Sequence, residues 1–298
     1  MSGEQLGTLI TAMVTPFKPD GSVDYDRAGE LARKLIDEGS DGLLVTGTTG
    51  ESPTLSKDEK LKLYSVVKEA AGDVPVLAGT GSNNTQATID LTKAASETGV
   101  DGILIVGPYY NKPSSEGFYQ HYKACAAATE LPVIIYNVPG RTGKNIDAKT
   151  VLRLAEDVEN IVGIKEASGD LKQITQICAE KPEGFIVWSG DDGLTVPILS
   201  VGGHGVISVA SHVAGRQMRE MIDAFKAGNV RRAAELHCLL SPLFSALFLP
   251  SGNPACVKRA LEICGFSCGG LRLPLVPASE EDTETIRKVC QELGLIGQ

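Results

Sequence analysis

The chain has 298 residues, of which 42% are apolar and 22% charged, and this balance excludes a disordered protein. A formal net charge of −9 argues against a nucleic-acid partner, because nucleic-acid-binding domains carry a basic surface. The longest strongly apolar stretch, residues 239–250, is interrupted by Ser241, Pro242 and Ser245, so no segment is expected to span a membrane.

Strand-like apolar runs recur along the chain at intervals of about 20 to 34 residues, the size of one βα unit. They are nearly continuous in apolar residues, as parallel strands covered on both faces require. The eight runs begin near Thr8, Gly42, Val74, Gly102, Pro132, Ile161, Phe185 and Gly205. Eight strands close a (β/α)8 TIM barrel, which we favour over a doubly wound open sheet because an open sheet requires no particular strand number.

The segments between the runs carry helix signals. Leu31 and Leu35 give the first helix an apolar face. Ser56 and Glu59 form a capping box, in which each side chain accepts a hydrogen bond from the backbone N–H of the other residue, and Gly72 is a stop signal.

After the eighth run the chain becomes helical, over about residues 230–250, 253–264 and 279–293. No polar linker separates these helices from the units before them. We therefore predict a barrel over residues 1–228 that carries the active site. Residues 229–298 are predicted to be a C-terminal helical extension packed on the barrel.

Lys165 is the first candidate for chemistry. It ends the sixth apolar run and, because side chains alternate along a strand, shares a face with Gly163 and Ile161. Burial disfavours the charged ammonium and lowers its pKa, which leaves a neutral amine able to form a Schiff base with a ketone. The alternative is a lysine that extends its charge into solvent at the strand end.

Polar groups at other predicted strand ends would converge with Lys165, because TIM-barrel active sites lie at the C-terminal ends of the strands. Tyr136 occupies the matching position on the fifth strand, and its phenol can relay protons if it is bonded to the hydroxyl of Thr48 or Thr49. The Arg141 guanidinium suits a carboxylate. Each feature also has a purely structural alternative. Tyr136 would be a half-buried aromatic of the barrel, residues 47–50 a tight βα turn, and Arg141 a member of a surface ion pair. Together these groups predict an enzyme that forms or breaks carbon–carbon bonds.

Other classes of site lack their sequence signals. The chain has no complete dinucleotide fingerprint, no GxxxxGK[ST] phosphate loop and no GxSxG elbow. Its four histidines and seven cysteines have no metal-ligand spacing, so we expect no metal. No signal sequence is visible, and an odd number of irregularly spaced cysteines fits reduced thiols, so we expect a cytoplasmic protein.

Seven motifs, most of them at the predicted strand ends, are specific in their order and spacing. They are GTTGE at 47–51, GTGSNNT at 79–85, PYYNKP at 108–113, YNVPGRT at 136–142, IKEASGD at 164–170, SGDD at 189–192 and GVISV at 205–209. This set resembles the dihydrodipicolinate synthase family, part of the pyruvate-dependent class I aldolase superfamily that includes N-acetylneuraminate lyase. The resemblance covers nearly the full chain, from about Thr8 to the C-terminal helices.

The resemblance implies a lyase that condenses pyruvate with L-aspartate 4-semialdehyde to 4-hydroxy-tetrahydrodipicolinate, in lysine and diaminopimelate biosynthesis, without a cofactor. Lys165 would form the imine with pyruvate. Tyr136, Thr48 and Tyr110 would relay protons, and Tyr110 would reach in from a neighbouring subunit. The family is usually a homotetramer arranged as a dimer of dimers, so the resemblance implies that assembly here.

The resemblance also implies how the substrates are held. Thr49 would bind the pyruvate carboxylate, and Arg141 would bind the carboxylate of the semialdehyde at the entrance. The backbones of Gly190 and Ile207 would border the site. Sugar-acid aldolases and N-acetylneuraminate lyases remain alternatives, although the latter typically lack an arginine at the position of Arg141. A catalytically silent barrel used for binding is a third hypothesis.

One part of the resemblance departs from lysine-inhibited bacterial members. Four residues fit their allosteric pocket, namely Ser52, Leu55, Asn83 and Tyr109. Lys57, Lys60 and Ala87 stand where those members tend to carry two histidines and a glutamate. Two cations repel a cationic ligand, and Ala87 removes a counter-charge, so we expect weak or absent inhibition by lysine.

Overall fold

The computed structural model describes residues 3–296 and contains a closed barrel of eight parallel strands in chain order. The strands are β1 (Leu9–Ala12), β2 (Gly42–Val45), β3 (Val76–Gly79), β4 (Gly102–Val106), β5 (Val133–Asn137), β6 (Ile161–Glu166), β7 (Ile186–Ser189) and β8 (Gly205–Ser208). β8 closes on β1, where Val206 lies opposite Leu9. The predicted TIM barrel is confirmed, and the doubly wound sheet is wrong.

Helices surround the barrel and continue beyond it. Those between and after the strands are α1 (Tyr25–Asp37), α2 (Lys57–Ala71), α3 (Thr85–Ser96), α4 (Ser115–Ala126), α5 (Pro139–Thr142), α6 (Ala148–Asp157), α7 (Leu171–Glu180), α8 (Thr195–Ser200) and α9 (Ser211–Lys226). The C-terminal helices are α10 (Val230–Ala246), α11 (Ala255–Ile263) and α12 (Glu280–Glu292). The predicted capping box is confirmed, since Ser56 and Glu59 bond reciprocally at the start of α2.

Apolar side chains fill the barrel and the layer around it. Inside the barrel, Ile10, Leu44, Leu104 and Ile134 pack with Trp188, whose indole nitrogen donates to the backbone oxygen of Gly7 at 2.9 Å. A second, larger cluster lies between the strands and the helices and continues into α10, α11 and α12. The barrel is therefore a packed core below an open C-terminal end.

The C-terminal helices pack against the barrel layer. α10 contacts α9 and the turn at Asp192–Leu194, and α11 packs against α12. This placement brings α10 beside the ends of the strands. The domain division after residue 228 stays a prediction. No helix within residues 3–296 combines the length and the apolar character that crossing a membrane requires.

Candidate active site

Lys165 and Tyr136 meet at the C-terminal end of the barrel, as their matching strand positions predict. Lys165 of β6 lies opposite Tyr136 of β5 and Trp188 of β7 in the strand register. The Lys165 Nζ atom is 4.4 Å from the centroid of the Tyr136 ring. Lys165 is only 5% exposed, so it does not extend its charge into solvent.

The surroundings of Lys165 favour its neutral form. Burial lowers its pKa to about 7; Asp192 opposes this effect, and Arg141 adds to it. Within residues 3–296, no carboxylate forms an ion pair with Lys165. A pKa reduced from 10.5 to about 7 corresponds to roughly 5 kcal/mol of lost preference for the charged form. A large fraction of the side chain is therefore a nucleophilic amine near neutral pH.

Asp192 is a buried carboxylate near this amine. It accepts hydrogen bonds from Ser208 Oγ at 2.5 Å and from the backbone N–H groups of Val209 and Ala210 at 3.0 and 2.9 Å. Burial raises its pKa, and these hydrogen bonds oppose that rise. The carboxylate ties the turn after β7 to the end of β8 and contributes the main negative potential felt by Lys165.

Tyr136 is set up as a proton donor. Its side chain is 6% exposed, and burial raises the pKa of the phenol to about 12. Arg141 and a hydrogen bond with the Thr48 side chain both oppose this rise. The phenol is therefore protonated at neutral pH and has Thr48 as a hydroxyl partner, as the sequence predicts.

The loop that carries Thr48 follows β2 and has an unusual backbone. Thr46 and Glu51, on either side of it, have positive φ values of 54° and 55°. A left-handed backbone costs a residue with a Cβ roughly 1–2 kcal/mol, so tertiary contacts must hold these positions. The Thr46 hydroxyl bonds with the Tyr64 hydroxyl at 2.7 Å, and Lys258 Nζ donates to Glu51 Oε1 at 2.7 Å.

The predicted substrate-binding residues lie at different distances from the cavity entrance. Thr49 is 3% exposed and lines the cavity above Lys165. Gly190 also lines it, and a Cβ there would lie 3.1 Å from both Cγ and Cε of Lys165. The Ile207 side chain is fully buried in the barrel interior. Arg141, in the short helix α5, is exposed at the entrance.

These residues surround a cavity of about 410 Å³. One side is formed by strand ends, with Thr48, Tyr136 and Lys165, and the other by α10 with His237 and Phe244. Its size and mixed polar and apolar lining suit a small organic substrate.

A second compartment of about 410 Å³ adjoins the first and shares Thr48, Tyr136 and Arg141 with it. Ser52, Leu55 and Tyr109 line this compartment, whereas Asn83 does not. Lys60 also lines it, and burial lowers the pKa of Lys60. Lys57 and Ala87 are exposed and lie outside its lining.

Tyr110 is separate from this group within the chain. It has a φ of 71°, its side chain is 89% exposed, and it lines neither compartment. An exposed tyrosine in a constrained backbone is available to another molecule and contributes nothing to the cavity of its own chain.

Sequence reasoning missed several residues of this site. Asn253 and His237 line the cavity from the C-terminal extension, which carried no recognised motif. Glu51 and Asp192 lie inside the recognised motifs GTTGE and SGDD but received no role. The one signal for Glu51 in the sequence was its position at the end of the GTTGE motif.

Comparisons with known proteins agree with one another. Residues 5–293 match the model of the Dihydrodipicolinate synthetase family. The 4-hydroxy-tetrahydrodipicolinate synthase of Symbiobacterium thermophilum is 57% identical, with 97% of this chain and 99% of the relative covered. The crystal structure of dihydrodipicolinate synthase from Bacillus anthracis has a TM-score of 0.93 at 51% identity and covers 96% of this chain and 98% of its own. The structure of the Cyanidioschyzon merolae enzyme with lysine bound has a TM-score of 0.95 at 45% identity and covers 98% and 99%.

Proposed function

The chain belongs to the dihydrodipicolinate synthetase family, and from this premise we propose that its barrel mouth forms a Schiff base between Lys165 and pyruvate. The enzyme is a lyase that condenses pyruvate with L-aspartate 4-semialdehyde to 4-hydroxy-tetrahydrodipicolinate, in lysine and diaminopimelate biosynthesis. The relatives support this reaction and not the sugar-acid aldolase or N-acetylneuraminate lyase alternatives. The observation that carries the mechanism is a buried amine, with a pKa near 7, against a phenol.

The first step is attack of the neutral Lys165 amine on the keto carbon of pyruvate. The resulting carbinolamine loses its hydroxyl group as water, and Tyr136 supplies the proton that this departure needs. Thr48 holds the phenol and passes protons to and from it. The product is an imine between Nζ and the former keto carbon.

The second step forms the carbon–carbon bond. The imine loses a proton from the methyl carbon and becomes an enamine, and that carbon attacks the aldehyde carbon of the semialdehyde. The aldehyde oxygen takes up a proton and becomes the hydroxyl group of the product. The amino group of the semialdehyde then attacks the imine carbon and releases Lys165, so one water is lost overall.

Charge at the cavity suits these anionic substrates. Arg141 at the entrance matches the carboxylate of the semialdehyde, because a guanidinium binds a carboxylate with two parallel hydrogen bonds. Thr49 binds the pyruvate carboxylate through its hydroxyl and backbone N–H. The backbones of Gly190 and Ile207 border the bound substrates.

The exposure of Tyr110 supports a shared active site. Its phenol would enter the mouth of a neighbouring subunit and extend the relay of Tyr136 and Thr48. The second compartment, which adjoins both of these residues, offers space for it. A homotetramer built as a dimer of dimers would place Tyr110 of one subunit at the active site of another. If so, mixing inactive Tyr110→Phe and Lys165→Ala chains should restore activity, and only in assemblies that contain both chains.

A cytoplasmic location follows from the same proposal. All seven cysteines are free thiols, four of them buried. Reduced cysteines are usual in the cytosol and unusual in secreted proteins. Fractionation of cells that express the full chain tests this location.

Trapping of the imine tests the proposed mechanism. Incubation with pyruvate and borohydride should reduce the imine to a stable secondary amine on Lys165, detected by mass spectrometry of the digested protein. The matched control is Lys172→Ala, which removes an exposed lysine of α7 and should retain the adduct. An adduct that persists in Lys165→Ala, or no adduct in the unaltered enzyme, contradicts the mechanism.

A further inference from the structure

The C-terminal extension contacts the substrate-binding loop at a buried point. Asn253, between α10 and α11, is 9% exposed and lines the cavity. Its Nδ2 atom donates to the Thr49 hydroxyl oxygen at 2.9 Å. The two residues are 204 positions apart in the sequence, so this contact exists only in the folded chain.

The direction of this hydrogen bond determines what Thr49 can do. A hydroxyl group has one hydrogen to donate. Because the Asn253 amide is the donor, the hydroxyl oxygen of Thr49 is the acceptor, and its hydrogen remains free to be donated into the cavity. This hydrogen bond also limits the rotation of the Thr49 side chain. Thr49 is thus oriented as a donor toward an anion above Lys165.

A second set of contacts joins the same loop to the C-terminal extension. Glu51 Oε1 accepts from Lys258 Nζ of α11 at 2.7 Å, and Glu51 Oε2 accepts from the backbone N–H of Arg272 at 3.0 Å. The side chains of Glu51 and Lys258 are 0% and 4% exposed. The Arg272 guanidinium also bonds to both carboxylate oxygens of Glu59, at 2.9 and 2.6 Å. Lys258 and the backbone of Arg272, both in the extension, therefore hold Glu51 in place.

We propose that the C-terminal extension sets the affinity for the α-keto acid, with Asn253 as a positioning residue that acts through Thr49. The ion pair of Glu51 with Lys258 holds the loop in the position where Asn253 and Thr49 form their hydrogen bond. The inference rests on the proposed function, because it assumes that Thr49 binds the carboxylate of pyruvate. It assigns to the extension a role in binding that is separate from the chemistry at Lys165.

A double-mutant cycle between Asn253 and Thr49 tests the proposal. Asn253→Ala alone should raise KM for pyruvate about tenfold, the effect of one misdirected hydrogen bond to a charged group, while kcat at saturating pyruvate changes less than about threefold. In a Thr49→Val background the same substitution should change KM less than about twofold, because the hydroxyl that it orients is already absent. Equal factors in both backgrounds would overturn the proposal.

A matched control separates positioning from general loss of structure. Asn160 lies immediately before β6, at the opposite end of the barrel. It donates to the backbone oxygens of Ala126, Thr129 and Leu131, at 3.0, 2.9 and 3.3 Å. Asn160→Ala should lower the midpoint of urea unfolding and leave KM for pyruvate unchanged. A rise in KM for Asn160→Ala equal to that for Asn253→Ala would contradict a specific role of Asn253.

A second variant keeps the test valid if Asn253→Ala does not fold. Asn253→Asp preserves the shape, but its carboxylate accepts the Thr49 hydrogen and competes with the substrate, so KM for pyruvate should rise at least tenfold. An unchanged KM in this variant would refute the positioning role. Borohydride trapping separates this role of Asn253 from the proposed function, because failure of the unaltered enzyme to form the Lys165 adduct refutes the proposed function itself.

Discussion

Cations at the two ends of the barrel have opposite surroundings. At the N-terminal end, Lys68 Nζ lies 2.8 Å from Asp101 Oδ2, and Arg219 lies 2.9 Å from Asp41. At the C-terminal mouth, Lys165, Lys60 and Arg141 line the two compartments, and no carboxylate within residues 3–296 forms an ion pair with them. Paired cations hold elements together, whereas Lys60 and Arg141 keep their electrostatic potential for an anionic ligand. Lys165, without a paired carboxylate, keeps a large fraction of neutral amine.

The largest expected effect separates these two kinds of lysine. Lys165→Met keeps the volume of the side chain and removes the amine, so kcat should fall by several orders of magnitude while the free energy of unfolding stays equal or rises. Lys68→Met should leave kcat unchanged and cost about 1 kcal/mol of stability, because Asp101 loses its ion pair but still accepts a hydrogen bond from the backbone N–H of Val76. Steady-state kinetics and urea unfolding of both variants measure this. Full activity of Lys165→Met would contradict the distinction between a catalytic Lys165 and a structural Lys68.

The free space beside Lys165 should also affect kcat, although less than loss of the amino group does. In Gly190→Ala the new Cβ would lie 2.8 Å from the Cβ of Ala167 and 3.1 Å from Cε of Lys165, so the amine must move. A displacement of this kind costs a catalytic group up to about a hundredfold in kcat. Gly140→Ala is the matched control, since a Cβ there meets no atom within 4 Å. Equal kcat values for the two variants would show that the added methyl group does not displace the amine.

The pH dependence should report the unpaired state of Lys165 directly. With a pKa of about 7, the amine is protonated below neutral pH, so kcat/KM for pyruvate should rise about tenfold per pH unit and level off above pH 7. In the unfolded chain the same lysine has a pKa of about 10.4. Between these two values the unfolded state binds more protons, so this residue makes stability increase with pH.

Lys165→Met provides the control for both pH effects. Its stability should increase less between pH 7 and pH 10 than that of the unaltered enzyme, because the lysine that takes up a proton on unfolding is absent. Urea unfolding at several pH values measures this difference. An identical slope in both proteins would place the pKa of Lys165 at its ordinary value and remove the basis for a neutral amine.

Sequence patterns were sufficient for the fold and for the centre of the site. Apolar runs at βα spacing predict the eight strands, because both faces of each strand are buried. Strand register then brings Tyr136 to Lys165, since the two residues occupy matching positions on neighbouring parallel strands. These features depend on local periodicity and on one topological rule, so they can be read from a single chain.

The far wall of the site could not be predicted in the same way. Asn253 reaches Thr49 across 204 positions, and its segment reads as an ordinary turn between two helices. Lys258 lies on the buried side of an amphipathic helix, and only the fold reveals Glu51 as its partner. Contacts of this kind depend on how the appended helices dock, which local periodicity does not determine.

The smallest expected effect concerns lysine, which should inhibit weakly or not at all. Among residues 3–296 the second compartment is lined by Lys60 and Arg141 and by no carboxylate. The two ammonium groups of lysine therefore meet repulsion without a counter-charge, and only its single carboxylate is attracted. The Cyanidioschyzon merolae enzyme, whose crystal structure contains bound lysine, serves as the positive control for lysine binding in a parallel titration. Lys60→Glu reverses the charge and should increase inhibition of this enzyme, whereas Lys57→Glu, an exposed change outside the lining, should not. Half-inhibition of the unaltered enzyme by sub-millimolar L-lysine would show that the ligand finds a counter-charge elsewhere, and a partner subunit is then its source.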